Sequence, residues 1–338
     1  MTLMKLMTTA TAVGLMTIGA ASAQTLDAVK ERGSIQCGVT TGLAGFAAPN
    51  DVGEWQGFDV DFCRAMAAAV FGDPSMVNYT PTTAKERFTA LQSGEIDLLA
   101  RNTTWTFSRD VNLGFEFVGI NYYDGQGFMV RTDLGVDSAL DLDGASVCIQ
   151  TGTTTELNLA DYFRTNGMSF EPVTVDTDSQ AREAYEAGRC DVYTTDSSGL
   201  AAQRSAVSDP SAHKILPEII SKEPLGPLVR HGDNQWGDIA RWVLNAMITA
   251  EELGVTSENA SEMTESDNPE IRRLLGNEGE LGAMLGLPND FAYNVVTMVG
   301  NYAEVYERNI GVDTPLGLER GLNALWTDGG ILYSPPFR

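Results

Sequence analysis

Histidine is almost missing from this 338-residue chain: His213 and His231 are its only two. Both stand in polar loop contexts without partners at ligand spacing, which leaves little for a histidine-based metal site or a Ser-His-Asp relay. "GTTTEL" (residues 152–157) lacks the lysine of a phosphate loop, and "GQGFMV" carries Val130 where the third glycine of a dinucleotide fingerprint belongs. No G-x-S-x-G elbow occurs. Positive charge is also scarce, with 22 Lys+Arg against 46 Asp+Glu and a net charge of −24, so the surface repels phosphate backbones and anionic lipid. No stretch after the leader approaches the ~20 apolar residues that a spanning helix requires. The expectation is a chain with no metal, no cofactor, no nucleic-acid partner and little machinery for bond breaking.

The opening residues show what is present. "MTLMKLMTTATAVGLMTIGAASA" has an early cation at Lys5, an apolar stretch from Leu6 to Ile18 and a small-residue end at Ala21-Ser22-Ala23, the pattern of a secretory signal peptide cleaved after Ala23. A membrane anchor is the competing reading, but the apolar run is short and interrupted by threonine. Export to an oxidising compartment suits the four cysteines. These allow three connectivities. Pairing elements close in sequence favours Cys37 with Cys63 and Cys148 with Cys190, against four reduced core thiols. With 43% hydrophobic and 20% charged residues the remainder is globular, and its length suggests about two domains.

From Ser34 the chain alternates strands and helices. "SIQCGVT", "VNYTPT" and "EIDLLA" read as strands separated by helices at "GFDVDFCRAMAAAVFG" and "AKERFTALQSG". A second set follows, with strands "ASVCIQT", "FEPVTVD" and "CDVYTTD" around helices "TELNLADYFRTNG" and "SQAREAYEAG". Two βαβαβ runs predict two α/β lobes, each a mostly parallel sheet flanked by helices, with a cleft lined by loops at the carboxyl ends of the strands. The expected division is a leader over 1–23, the first part of lobe one over 24–126, lobe two over 127–222, and a return to lobe one plus a C-terminal helical region over 223–338. "NYYDGQGFMVRTD" and "IISKEPLGPLVR" read as the two crossovers, a hinge candidate, because the prolines of the second do not suit a central strand. Farther on, "QWGDIARWVLNAMITAEELG", "NPEIRRLLG", "DFAYNVVTMVGNYAEVYERNIG" and "GLERGLNALW" read as helices.

Binding chemistry is easier to find than catalysis. A zwitterion needs a fork-like cation with hydroxyl or N–H donors at one end and a carboxylate at the other. "NTTWTFSR" supplies Arg109 after a donor-rich turn, Thr153 and Thr154 open a helix with free N–H groups, and Asp196 ends the strand "CDVYTTD". Each has a plainer competitor. Arg109 could pair with Asp110 or Glu116 at the surface, Asp196 could cap the next helix, Arg87 could pair or snorkel on a surface helix, and the threonines could simply start a helix.

The ordered motifs "GFDVDFCRAMA", "RFTALQSGEIDLLARNTTWTFSR", "IQTGTTTE" and "DVYTTDSSG", over residues 34–230, resemble the periplasmic amino-acid-binding proteins of ABC importers, solute-binding family three. The "NALWTDGG" near the end is similar to the broad-specificity L-amino-acid-binding members. The resemblance implies a periplasmic two-lobed clamshell that closes on a free L-amino acid and docks, as a monomer, on the membrane subunits of an ABC permease. It makes Arg109 the carboxylate-binding arginine, Asn102, Thr104, Thr153 and Thr154 further ligand contacts, and Asp196 the ammonium-binding acid. Arg87 matches the position that holds an acidic ligand side chain, and Leu43 stands where relatives often carry a stacking aromatic, which predicts a less shaped side-chain wall. The alternative is a periplasmic dehydratase on the same scaffold, acting on prephenate or arogenate.

Overall fold

A computed structural model describes residues 25–338. The expected leader and its cleavage after Ala23 lie outside the described residues. Two five-stranded sheets dominate. In the first the strands run in the order Val77–Pro81, Ile35–Val39, Leu98–Leu99, Leu228–Arg230, Phe115–Phe117. In the second the order is Glu171–Val175, Ser146–Gln150, Val192–Asp196, Gln126–Arg131, His213–Ile215. Both follow one plan: the first three strands are parallel and the fourth runs antiparallel to its two neighbours. Three parallel strands joined through helices put the loops after Val39, Leu99, Gln150, Val175 and Asp196 at the same end of each sheet.

The fourth strands correct the expected crossovers. Only Tyr122–Asp124 and Glu223–Leu225 form the bridge, a two-stranded antiparallel ribbon in which Glu223 faces Asp124, Pro224 faces Tyr123 and Leu225 faces Tyr122. The chain beyond each arm enters a sheet at once, as Gln126–Arg131 in one direction and Leu228–Arg230 in the other. Aromatic and glycine content had disguised the first of these, yet Phe128 and Val130 pack on one sheet face and Met129 on the other, the period of two that a buried strand requires. Pro224 is tolerated because the ribbon demands no N–H there: its carbonyl accepts from the Trp105 N–H at 2.8 Å. Opposite it, Tyr123 is served by a side chain. The amide of Asn323 accepts from its N–H at 2.6 Å and donates to its carbonyl at 3.1 Å, acting as a one-residue third strand.

Helices end where the sequence punctuates them. Phe58–Phe71 stops at Gly72, in the left-handed region with φ 66°, and Pro269–Leu274 starts with Asn268 as cap and proline at its first position. The 19-residue helix Asn234–Glu252 buries Trp236, Ile239, Val243 and Met247 against the first sheet and the C-terminal helices. No helix among the described residues is long and apolar enough to cross a membrane. Two expectations fail in the last eighty residues. The single helix expected over "DFAYNVVTMVGNYAEVYERNIG" is two, Phe291–Met298 and Tyr302–Asn309, because Gly300 turns the chain at φ 109° and Asn301 opens a new helix with a capping box to Glu304. "GLERGLNALW" is irregular chain with single 3-10 turns at Gly321–Asn323 and Trp326–Asp328. Its glycines weaken any helix, and Asn323 is engaged by the ribbon instead.

Both expected disulfides are present. Cys37–Cys63 ties the second strand of the first sheet, Ile35–Val39, to the helix Phe58–Phe71, and Cys148–Cys190 ties the corresponding strand of the second sheet to the approach of Val192–Asp196. Each sits in its own lobe's core.

Candidate functional site

The carboxyl ends of the two sheets converge on one small cavity of about 40 Å³. From the first lobe come Leu43, Arg87, Arg101, Asn102 and Thr104, and from the second Thr153, Thr154, Asp178 and Asp196. The first lobe's contribution is cationic. Arg87 and Arg101 are only 2% and 4% exposed, yet no ion pair within 4 Å engages either among the described residues. Arg87 Nη1 donates to Thr103 Oγ1 at 3.2 Å and Arg101 Nε to the Thr82 carbonyl at 3.0 Å. Arg87 Nε, Arg101 Nη2, Asn102 Oδ1 and Ser198 Oγ, all from cavity-lining residues, have no protein partner. A buried guanidinium with a spare N–H is an open anion donor, because leaving it unmet is costly.

Arg109 stands one layer back. It is 6% exposed, does not line the cavity, and donates from Nη1 to the carbonyl of Thr104, a lining residue, at 2.8 Å. Its guanidinium and that of Arg87 lie over the Phe88 ring at 5.3 and 4.8 Å, so one aromatic ring supports two cations. The surface pairing with Asp110 or Glu116 is not what the fold makes: Asp110 accepts from Trp105 Nε1, and Glu116 pairs with Arg241. Nor is Arg87 a surface residue. Burial is the main cause that lowers the tendency of Arg87, Arg101 and Arg109 to hold their protons, to a value of about 10 for Arg109.

The second lobe answers with acid. Asp178 and Asp196 line the cavity opposite the guanidiniums. Burial raises both carboxyls; for Asp196 the negative neighbours Asp124, Glu223 and Asp178 raise it further while Arg87 opposes. Asp196 precedes the helix Ser197–Ser205 but makes no side-chain cap bond. Asp124 takes that role, accepting from the Ser198 N–H at 3.3 Å, which leaves Asp196 to the cavity. Asp124 itself is pushed up to about 6, chiefly by burial. Thr153 does cap its helix, accepting from the Glu156 N–H at 3.2 Å, and lines the cavity as well. Asn102 has φ 40°, a left-handed conformation for a non-glycine residue. Its N–H donates to Asp59 at 3.2 Å, and that carboxyl, pushed up to about 7 mainly by burial, stands directly behind the cavity wall. Leu43 is held on the rim by a one-residue bridge to Ala47.

Of the eight ligand-site residues expected, seven line one cavity and Arg109 backs it. The lining also includes Arg101, Gln150, Asp178 and Ser198, which the motifs did not single out. Arg101 and Asp178 stand just beyond the strands Leu98–Leu99 and Glu171–Val175, after Ala100 and after Asp176-Thr177, where the rule that sites form at strand carboxyl ends points.

Residues 35–259 match the bacterial extracellular solute-binding proteins, family 3. The chain is 60% identical, over 99% of both chains, to the general L-amino acid-binding periplasmic protein AapJ of Rhizobium johnstonii. It is 58% identical, over 97% of both, to the glutamate/glutamine/aspartate/asparagine-binding protein BztA of Rhodobacter capsulatus. Among solved structures it is similar to an ABC transporter/periplasmic binding protein from Brucella ovis with glutathione bound, at TM-score 0.92 and 58% identity, covering 94% of this chain and all of that one.

Proposed function

The chain belongs to the bacterial extracellular solute-binding proteins of family 3, and from that premise we propose that it binds free L-amino acids in the periplasm and delivers them to an ABC permease. One observation carries the reading: the buried guanidiniums of Arg87 and Arg101 from the first lobe and the carboxyl groups of buried Asp178 and half-buried Asp196 from the second line one cavity without forming a direct ion pair. A zwitterion completes both sets at once. Its carboxylate goes to the first lobe, where Arg101 and Arg87 have spare donors and Arg109 adds charge from behind Thr104. Its ammonium goes to Asp196, beside the hydroxyls of Thr153 and Thr154. Charge-assisted hydrogen bonds contribute roughly 1.5–3 kcal/mol each, so a few at either end reach the ~8 kcal/mol of micromolar binding after ordering costs.

Because a ligand touches both lobes, it favours the closed state by differential contact. The permease then distinguishes loaded from unloaded protein. Two cations and two acids line the cavity, so its charge is balanced, and with Leu43 on the rim it admits acidic, amide and neutral side chains alike. That breadth accords with the ligand names of the two relatives. We read the chain as a binding protein rather than a dehydratase, in keeping with those names. Calorimetric titration of the exported form against a panel of amino acids, with glutathione included, is the test. Micromolar binding of several members is expected; turnover of prephenate or arogenate without amino-acid binding would replace this reading.

A further inference from the structure

Glu223 does not line the cavity, yet it is 1% exposed and its carboxylate accepts from four side chains. Oε2 takes the hydroxyls of Thr104 at 2.5 Å and Thr154 at 2.9 Å. Oε1 takes the amide of Asn158 at 2.6 Å and the hydroxyl of Ser221 at 2.7 Å. These donors come from different bodies. The backbone of Glu223 is in the ribbon, and the turn carrying Thr104 is strapped to the same ribbon strand: Thr104 bridges Leu225, and the Gly226 N–H donates to the Thr103 carbonyl at 3.0 Å. Thr154 and Asn158 belong to the second lobe, four residues apart on the helix Thr154–Thr165 and so on one face of it.

The oxygens of Thr104 and Thr154 stand 3.2 Å apart across the cleft. Each hydroxyl has one hydrogen to give, and both face the same carboxylate oxygen. Their approach is therefore held by a shared acceptor rather than by a bond between them. Elsewhere the cleft is spanned by Lys85–Asp176 at 2.8 Å, a pair more than half exposed at both ends and so weakly stabilising.

The geometry points to Glu223 as a closure latch: a carboxylate carried by the hinge grips the first turn of the second lobe's helix when the lobes meet, and positions the Thr104 and Thr154 hydroxyls that face the ligand. This rests on the clamshell reading above and adds to it a positioning residue that touches no ligand. Arg109 stands near enough for the carboxylate to favour its charged form, which offsets the burial of an anion here. A latch acts through the closed population, and apparent affinity scales with that population for every ligand alike. A ligand contact changes the ratio between ligands.

Two variants separate these cases. Glu223→Gln weakens the shared acceptor, and Asn158→Ala removes one donor from outside the cavity lining. Small-angle scattering without ligand, and calorimetry with glutamate, glutamine and alanine, supply the readouts. Expected for both variants is a wider mean lobe separation and a Kd raised about tenfold for each ligand, with their ratios kept. Unchanged scattering and Kd values within twofold of the parent overturn the latch; so does a rise confined to one ligand. If Glu223→Gln does not fold, Asn158→Ala alone decides. If the parent protein binds no amino acid, the function reading fails, and the scattering comparison still decides the latch.

Discussion

The two lobes share a strand plan, and each holds its own disulfide, but they differ in what they bring to the cleft. The first contributes arginines: Arg87 and Arg101 in the wall and Arg109 behind it. The second contributes Asp178, Asp196 and a threonine-rich helix start. Neither set could be buried alone at low cost, because an isolated buried charge is strongly disfavoured. Divided between two bodies, the same charges would, on the reading proposed above, favour closure around a dipolar molecule and orient it.

The sharpest way to break this contrast is to neutralise one end at a time. Asp196→Ala and Arg109→Ala should each raise Kd by a factor of about 100 or more in calorimetry, for all amino acids together. If Asp196→Ala weakens acidic ligands only, the ammonium end has been misplaced. Next in size is the loss of a disulfide. Replacing Cys148 and Cys190 by alanine should cost about 2–4 kcal/mol of unfolding free energy, and somewhat more than replacing Cys37 and Cys63, since its sequence separation is 42 against 26. Denaturant titration of both double variants measures the difference.

Arg87 tests whether the cationic lobe also reads the ligand's side chain. Arg87→Ala should raise the Kd of glutamate about tenfold more than that of alanine. The smallest effect concerns pH. Asp59 has a folded pKa raised to about 7 from 3.8, mainly by burial, so its contribution to stability is fully present below about pH 3.8 and lost as pH rises through 7. Asp59→Asn should remove that loss and narrow the difference in Tm between pH 5 and pH 8 by a few degrees, as scanning calorimetry would record.

Most of the candidate site could be read from sequence because its parts sit on local punctuation. Asn102, Thr104 and Thr153 follow hydrophobic strands, Thr154 opens a helix and Asp196 ends a strand, and position at a strand's carboxyl end is visible in a linear pattern. Arg101 and Asp178 obey the same rule but lie outside the residues the motifs single out. Glu223 had no such signal. Its importance arises from donors 119, 69 and 65 residues away, at Thr104, Thr154 and Asn158, and "SKEPLG" says nothing of them. The same limit explains the non-helical stretch around Asn323, whose engagement by Tyr123 spans 200 residues, whereas the break at Gly300 is local punctuation.

That last contact has a chemical corollary. The Asn323 side chain gives a hydrogen to one backbone group of Tyr123 and receives one from the other, which an amide can do and a carboxylate cannot. Hydrolysis to aspartate, by substitution or by slow ageing in storage, would set a second oxygen against the Tyr123 carbonyl and turn a bond into a repulsion. Old preparations would then differ from fresh ones in how their hinge bends, though every residue around the ligand was unaltered.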